Sequence, residues 1–194
     1  MMTGTTTTPG EPADTSLVDA ARRGDLLAWE RLVRRYQEPV FRVAYLIVRD
    51  SDLATSATQS TFVRGYRALP SNDGTLGLMP WLFRIAASES RQQRRESGRP
   101  RISSRPVEKI HGPHYLATAV PGLTAAVGLS PAEREVVSAA FDRLGEEDRL
   151  TIATRYLFGL SRKDAADALS IASGLVEGHL QTALRRLRTR MVDA

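Results

Sequence analysis

One segment divides this chain and limits what it can fold into. Residues 97–129 contain Ser-Gly-Arg-Pro, Arg-Pro, His-Gly-Pro-His and Val-Pro-Gly. Proline and glycine at that density break any long helix or strand. A connection of this length with no core of its own is unusual inside one compact domain. Within 194 residues it leaves room for two small domains, 16–96 and 130–194. Both flanking blocks show helical spacing. The predicted fold class is therefore all-α: two small helical domains joined by a flexible linker, the C-terminal one a helix-turn-helix. Residues 1–15 are rich in Thr, Pro and Gly and are predicted to be a disordered tail. They lack the basic start and apolar centre of a secretory signal.

In the first block Leu17, Val18 and Ala21 keep helical spacing, and Gly24 ends that helix. Asp25 is placed to cap the next, whose apolar stripe is Leu26, Trp29, Leu32, Val33 and Tyr36. Pro39 is expected to start a new helix or kink this one. Asp50 or Ser51 caps a third helix, with Leu53, Ala57, Thr61, Phe62, Tyr66 and Leu69 turned inward. Pro70–Thr75 reads as a loop, and a fourth helix runs from Leu78 to Glu96. The second block opens on a capping box, Ser130-Pro-Ala-Glu133. Helices are predicted up to Leu144, over Glu146–Phe158, from Ser161 to Leu169, and from a Ser173 cap to Met191. Around Ser170-Ile171-Ala172, Ala165, Ala166 and Leu169 would face Val176 and Leu180. Such a pair can place its second helix in a major groove. From the pattern alone, an ordinary helical hairpin is an equal alternative.

Charge narrows the function. The chain has 27 basic and 22 acidic residues, and only Lys109 and Lys163 are lysines. Residues 17–100 hold 14 arginines against nine acids, whereas 131–194 hold ten bases and ten acids. From Arg91 to Lys109 there are seven bases and two acids. Arginine in that density suits phosphate, because the guanidinium donates in a fixed fork; the bland alternative is a solvated helix end. Zero cysteine excludes thiol catalysis, disulfides and cysteine-ligated zinc. The longest apolar run, Val43–Val48, is far short of the ~20 residues that span a bilayer, so no membrane insertion is expected. His111 and His114 have no third ligand nearby and read as linker residues rather than a metal site. No nucleophile–base pair, paired carboxylate or phosphate-cradling loop stands out. No catalytic residue, cofactor or metal is expected, and the chain is not read as an enzyme.

The order of short motifs resembles the extracytoplasmic-function type of sigma factor in the sigma-70 family. In the first block the matching residues are Ala20–Asp25, Trp29-Glu30, Leu32–Tyr36, Gln59, Phe62, Arg64, Tyr66–Leu69 and Pro80–Ala86. In the second they are Leu144, Arg155-Tyr156, Gly159–Ser161, Ala165-Ala166, Leu169, Ile171, Gly174, Val176 and Ala183–Leu187. The resemblance covers roughly 80 residues at the front and 60 at the back. It implies a cytoplasmic transcription initiation factor with core RNA polymerase and promoter DNA, duplex and melted, as partners, and an anti-sigma protein as a further one.

The resemblance also implies sites. Leu46, Asp50, Asp52, Ser56, Gln59 and Phe62 would meet core polymerase. Asn72, Asp73, Trp81, Arg84, Arg91, Arg94 and Arg95 would hold the melted −10-type element, with a flipped base in the loop Ser71–Gly77. Arg162, Lys163, Ser173, Gly174, Glu177, His179, Gln181 and Arg185 would read a −35-type element.

Two departures from the family pattern carry expectations. The clamp-binding stretch usually reads Glu-Asp-Ala-Glu-Asp-Leu-Val-Gln-Glu-Thr-Phe. Here it is Asp52-Leu-Ala-Thr-Ser-Ala-Thr-Gln-Ser-Thr-Phe62, poor in acids. Hydrogen bonds without charge assistance are roughly half as strong, so weaker core binding is expected. The recognition helix usually reads Gly-Thr-Val-Lys-Ser-Arg-Leu. Here it is Gly174-Leu-Val-Glu-Gly-His-Leu180, which repels phosphate at Glu177. A weak or unusual −35 preference follows. The departures also favour an alternative: a sigma-like regulator acting mainly through protein partners.

Overall fold

The computed structural model of the protein describes residues 13–72, 74–98 and 130–192. The predicted tail up to residue 12, Asp73 and the linker from 99 to 129, with His111 and His114, lie outside them. The chain divides into two compact units between Arg94 and Arg95. All regular structure among the described residues is helical.

The first unit holds α1 (Asp14–Arg22), α2 (Leu26–Val48), α3 (Ser51–Ala68), a 3-10 turn at Leu69–Ser71, and α4 (Leu78–Glu96), whose last two residues pass the division. The caps fall where the polar residues predict them. Asp25 accepts from the backbone N–H groups of Leu27 and Ala28 at 2.9 and 3.1 Å. Asp50, rather than Ser51, accepts from those of Asp52 and Leu53, both at 3.0 Å. Each cap is worth about 1 kcal/mol.

Three expectations need correction here. The chain is ordered before residue 16, because Asp14 accepts from Arg35 Nη1 and from the Tyr36 hydroxyl and so fixes the start of α1. Pro39 does not begin a new helix: α2, 23 residues in all, runs through it to Val48. An interior proline costs about 3 kcal/mol. Val40, Val43, Leu46 and Ile47 on its far side are all buried, and each such burial contributes about 1.5–3 kcal/mol. Leu26 leaves the predicted stripe and is 64% exposed.

α2 packs along α3, and α1 along α2. At their centre the Trp29 ring meets Phe62 edge-on at 6.2 Å and Tyr66 at 5.6 Å. Gly65 makes this seam close, since a Cβ there would lie 3.3 Å from Trp29 Cη2 and 3.5 Å from Leu82 Cδ2.

The second unit contains α5 (Pro131–Asp142), α6 (Glu146–Ile152), α7 (Arg162–Leu169) and α8 (Val176–Val192). The capping box is formed: Glu133 N–H donates to Ser130 Oγ at 3.3 Å, and Ser130 N–H to Glu133 Oε2 at 2.7 Å. The helix expected over Glu146–Phe158 changes character at Ala153. Residues Ala153–Leu157 form a π-helical turn, closed by Phe158 N–H to the Ala153 carbonyl at 3.0 Å. Ser161 caps α7 by accepting from Asp164 N–H at 3.1 Å. Ser173 does not cap α8: it begins a 3-10 turn, Ser173–Leu175, and α8 starts after that turn at Val176. α8 lays Val176, Leu180, Ala183 and Leu187 inward, against α5, α6 and α7.

Candidate nucleic-acid interface

Helical phase on α4 sorts its residues into two faces. Leu82, Phe83, Ala86, Glu89 and Ser90 are buried. Trp81, Arg84, Ser88, Arg91 and Arg95, three or four apart, lie on one outer stripe. The last four are exposed, and Trp81 is partly so. At about 1.5 Å per residue the stripe is about 21 Å long.

The N-terminal half of this stripe forms one wall of an open cleft of about 430 Å³. Trp81, Arg84, Ile85 and Ser88 come from α4, Arg64 from α3, and Ser71, Asn72, Thr75 and Leu76 from the turn and loop between them. The apolar surface is one indole with Leu76 and Ile85. The polar groups are three hydroxyls, an amide and two guanidiniums. Such a site can stack one flat ring, hydrogen-bond its edge and neutralise neighbouring phosphates. Arg64 is held there by Glu89, Nη1 to Oε1 at 2.6 Å.

Of the residues predicted for melted DNA, the cleft gathers Asn72, Trp81 and Arg84. Arg91 and Arg95 follow on the same stripe, away from the cleft. Arg94 is turned elsewhere: its Nη1 donates to the Ile47 carbonyl at 3.0 Å. Asp73 lies outside the described residues. Ser71, Thr75 and Leu76 belong to the loop expected to hold a flipped base, whereas Arg64 and Ser88 were not expected at the site. Arg64 carried one signal, its place in the family pattern; the Ser88 hydroxyl carried none.

A second surface runs along α3. Asp52, Ser56 and Gln59 share one exposed face, which continues to Val63, 52% exposed. The other residues predicted for polymerase contact do not join it. Leu46 and Phe62 are 2% and 7% exposed and belong to the core. Apolar residues in this setting gain more from Trp29 and its neighbours than from solvent. The Asp50 carboxylate is engaged as the cap of α3.

In the second unit every predicted −35 residue is exposed: Arg162, Lys163, Ser173, Gly174, Glu177, His179, Gln181 and Arg185. They do not share one face. Gln181 and Arg185 lie away from the buried stripe of α8, with Glu177 a quarter-turn from that stripe on one side. His179 falls on the flank with Arg186, which donates to both Asp148 carboxylate oxygens at 3.0 and 2.8 Å. That pairing holds the Arg186 pKa above its ordinary value. Lys163 pairs with Asp167 at 3.0 Å. The turn between α7 and α8 is set by Ser170 at φ 58° and by Ile171 N–H donating to the Ala166 carbonyl at 3.0 Å.

Among the described residues no group of three or more His, Cys, Asp or Glu is arranged to hold a metal ion. No helix among them is long and apolar enough to cross a membrane.

These features define a class: a two-unit, all-helical protein with an arginine-striped cleft in one unit and a helix-turn-helix in the other. Comparison with known proteins narrows it. Residues 32–99 match the sigma-70 region 2 family. The RNA polymerase sigma-H factor of Pseudomonas aeruginosa is 27% identical over 171 residues, covering 86% of this chain and 88% of that one. The ECF RNA polymerase sigma-E factor of Escherichia coli K12 is 29% identical over 170 residues, with the same coverage. The fold is shared with CnrH, solved with the cytosolic domain of CnrY, at TM-score 0.65 and 23% identity, covering 92% of this chain and 96% of that one. It is also shared with the sigma factor RpoE of Bartonella quintana, solved with the anti-sigma factor NepR, at TM-score 0.59 and 18% identity, covering 84% and 95%. Residues 32–99 thus carry a sigma-70 region 2 domain, and over most of its length the chain is similar to extracytoplasmic-function sigma factors.

Proposed function

We propose that this protein is a non-enzymatic RNA polymerase sigma factor, which binds core polymerase and directs it to promoter DNA in the cytoplasm. The observation that carries this reading is the cleft. It joins one stacking surface, a polar rim and two arginines at the head of an exposed arginine stripe. In this reading the first unit, through residue 96, docks on polymerase through the exposed face of α3 and receives the melted strand. Trp81 stacks a flipped base while Asn72 and the loop hydroxyls meet its edge. Arg64, Arg84, Arg91 and Arg95 neutralise phosphates along the strand. Residues 97–129 link the units, and the second unit, 130–194, presents Glu177, Gln181 and Arg185 to a duplex element. Glu177 can accept from a cytosine amine but repels phosphate.

One observation favours the second reading, a sigma-like regulator with weakened core or promoter binding that works mainly through protein partners, such as an anti-sigma protein. Asp52 is the lone acid on the exposed face of α3. The deciding experiment is reconstitution with bacterial core polymerase on a library of promoter fragments, mapping transcription starts. Defined starts that depend on this protein support the first reading. Binding to polymerase with no initiation supports the second.

A further inference from the structure

We propose that Arg22 is a positioning residue for the cleft: it holds the loop at Asn72 in the shape that receives a base. The proposal rests on the cleft being the base-holding site. Arg22 ends α1, fifty residues before the loop, yet its Nη2 donates to the Asn72 carbonyl at 2.6 Å. Its other contact is weak, since Nη1 lies 3.6 Å from Asp19, a carboxylate that is 60% exposed. Its Nε–H is buried and meets no acceptor among the described residues. A guanidinium kept partly out of water with a donor unmet is a poor device for stability, because an apolar side chain would fill that space at lower desolvation cost.

The loop is shaped to accept this contact. Asn72 Oδ1 accepts from Gly74 N–H at 3.0 Å, closing a small turn. Gly74 sits at φ +77°, and a Cβ there would lie 3.4 Å from Arg22 Nη2. Glycine therefore serves the backbone conformation, and the guanidinium packs beside it at ordinary contact distance. With its carbonyl on Arg22 and its side-chain oxygen on Gly74, Asn72 has its amide NH₂ to offer the cleft. The other end of α1 is fixed by Asp14 to Arg35 and Tyr36. The helix is thus tied to α2 at one end and to the rim of the cleft at the other.

The test uses the full-length chain bound to core RNA polymerase. A randomised single-stranded DNA pool first defines a bound sequence, and single abasic sites are then scanned through it. The wild type should lose about tenfold in affinity at one position. Arg22→Met should reduce that loss to under twofold, with core binding and affinity for the abasic strand unchanged. Arg22→Lys, which keeps one donor, should fall between. Gly74→Ala strains the same exposed loop through its backbone at φ +77° and should also reduce that loss. A tenfold loss retained in Arg22→Met and Gly74→Ala overturns the role of Arg22 and leaves the cleft reading standing. A wild type with no abasic-sensitive position overturns both.

Discussion

Arg64 and Glu89 meet at 2.6 Å across the seam between α3 and α4, the arginine 58% exposed and the carboxylate 12%. The pair places a guanidinium on the cleft but also puts a negative charge behind it. In Glu89→Gln the amide oxygen can still accept from Arg64, so the geometry is kept while the opposing charge is lost. Affinity for single-stranded DNA should rise about two- to threefold at low salt. The slope of log affinity against log salt should steepen by about 0.7, the share of one more phosphate neutralised. Fluorescence anisotropy across a salt series checks this, and a fall in affinity would count against the cleft as the DNA surface.

Trp81 and Arg84 line the same cleft by different chemistry, and two substitutions separate them. Arg84→Ala should flatten the salt slope by about 0.7. Trp81→Ala should remove about 1–3 kcal/mol of stacking and leave the slope unchanged. Equal effects on the slope would show that the indole is not a stacking surface.

Phe62 and Gln59 look alike in a sequence pattern and differ in the fold. Phe62→Ala empties part of the Trp29 cluster and should cost about 3–5 kcal/mol in chemical denaturation. Gln59→Ala lies on the exposed face of α3 and should change stability by less than about 0.5 kcal/mol. If that face is the polymerase surface, Gln59→Ala will weaken core binding by native pull-down without changing the melting curve.

Glu133 titrates below its ordinary value because of its hydrogen bonds with Ser130, first the side chain and then the backbone. A carboxylate with a depressed folded pKa stabilises α5 above its unfolded pKa, near 4.3. That contribution is lost as pH falls through the lower, folded value. Helicity of the second unit should therefore decline on acidification below about pH 4. Ser130→Ala should lower helicity at neutral pH and make that decline smaller, as followed by circular dichroism.

The fold was largely legible because its signals are local. Asp25, Asp50, Ser130 and Ser161 each cap a helix within four residues, and Gly24 and Gly159 adopt the positive φ that stops one. What sequence could not supply was competition between local cost and distant burial. Proline at 39 argues for a break, and only the apolar residues beyond it, packed on α3, overrule that. The π-helical turn at 153–157 is likewise invisible, since Ala153–Leu157 is an unremarkable helical string. The cleft was half legible. Trp81 and Arg84 lie on one helix at a readable spacing, whereas Arg64 reaches the cleft only through the packing of α3 with α4. Leu46 and Phe62 misled because a family pattern records position without recording which way a side chain points.

Gly65 lies next to Arg64 in sequence and touches both Trp29 and Leu82 in space. The depth to which α3 settles on α2 is thus fixed where a methyl group is missing. Adding that methyl would make Trp29 or α3 give way by a few tenths of an ångström, and helix propensity would hide part of the cost. The damage would then appear as a shift of Arg64 at the cleft more than as a lower melting temperature. In this fold the seat of one cleft wall is set from beneath, by a residue that never reaches its surface.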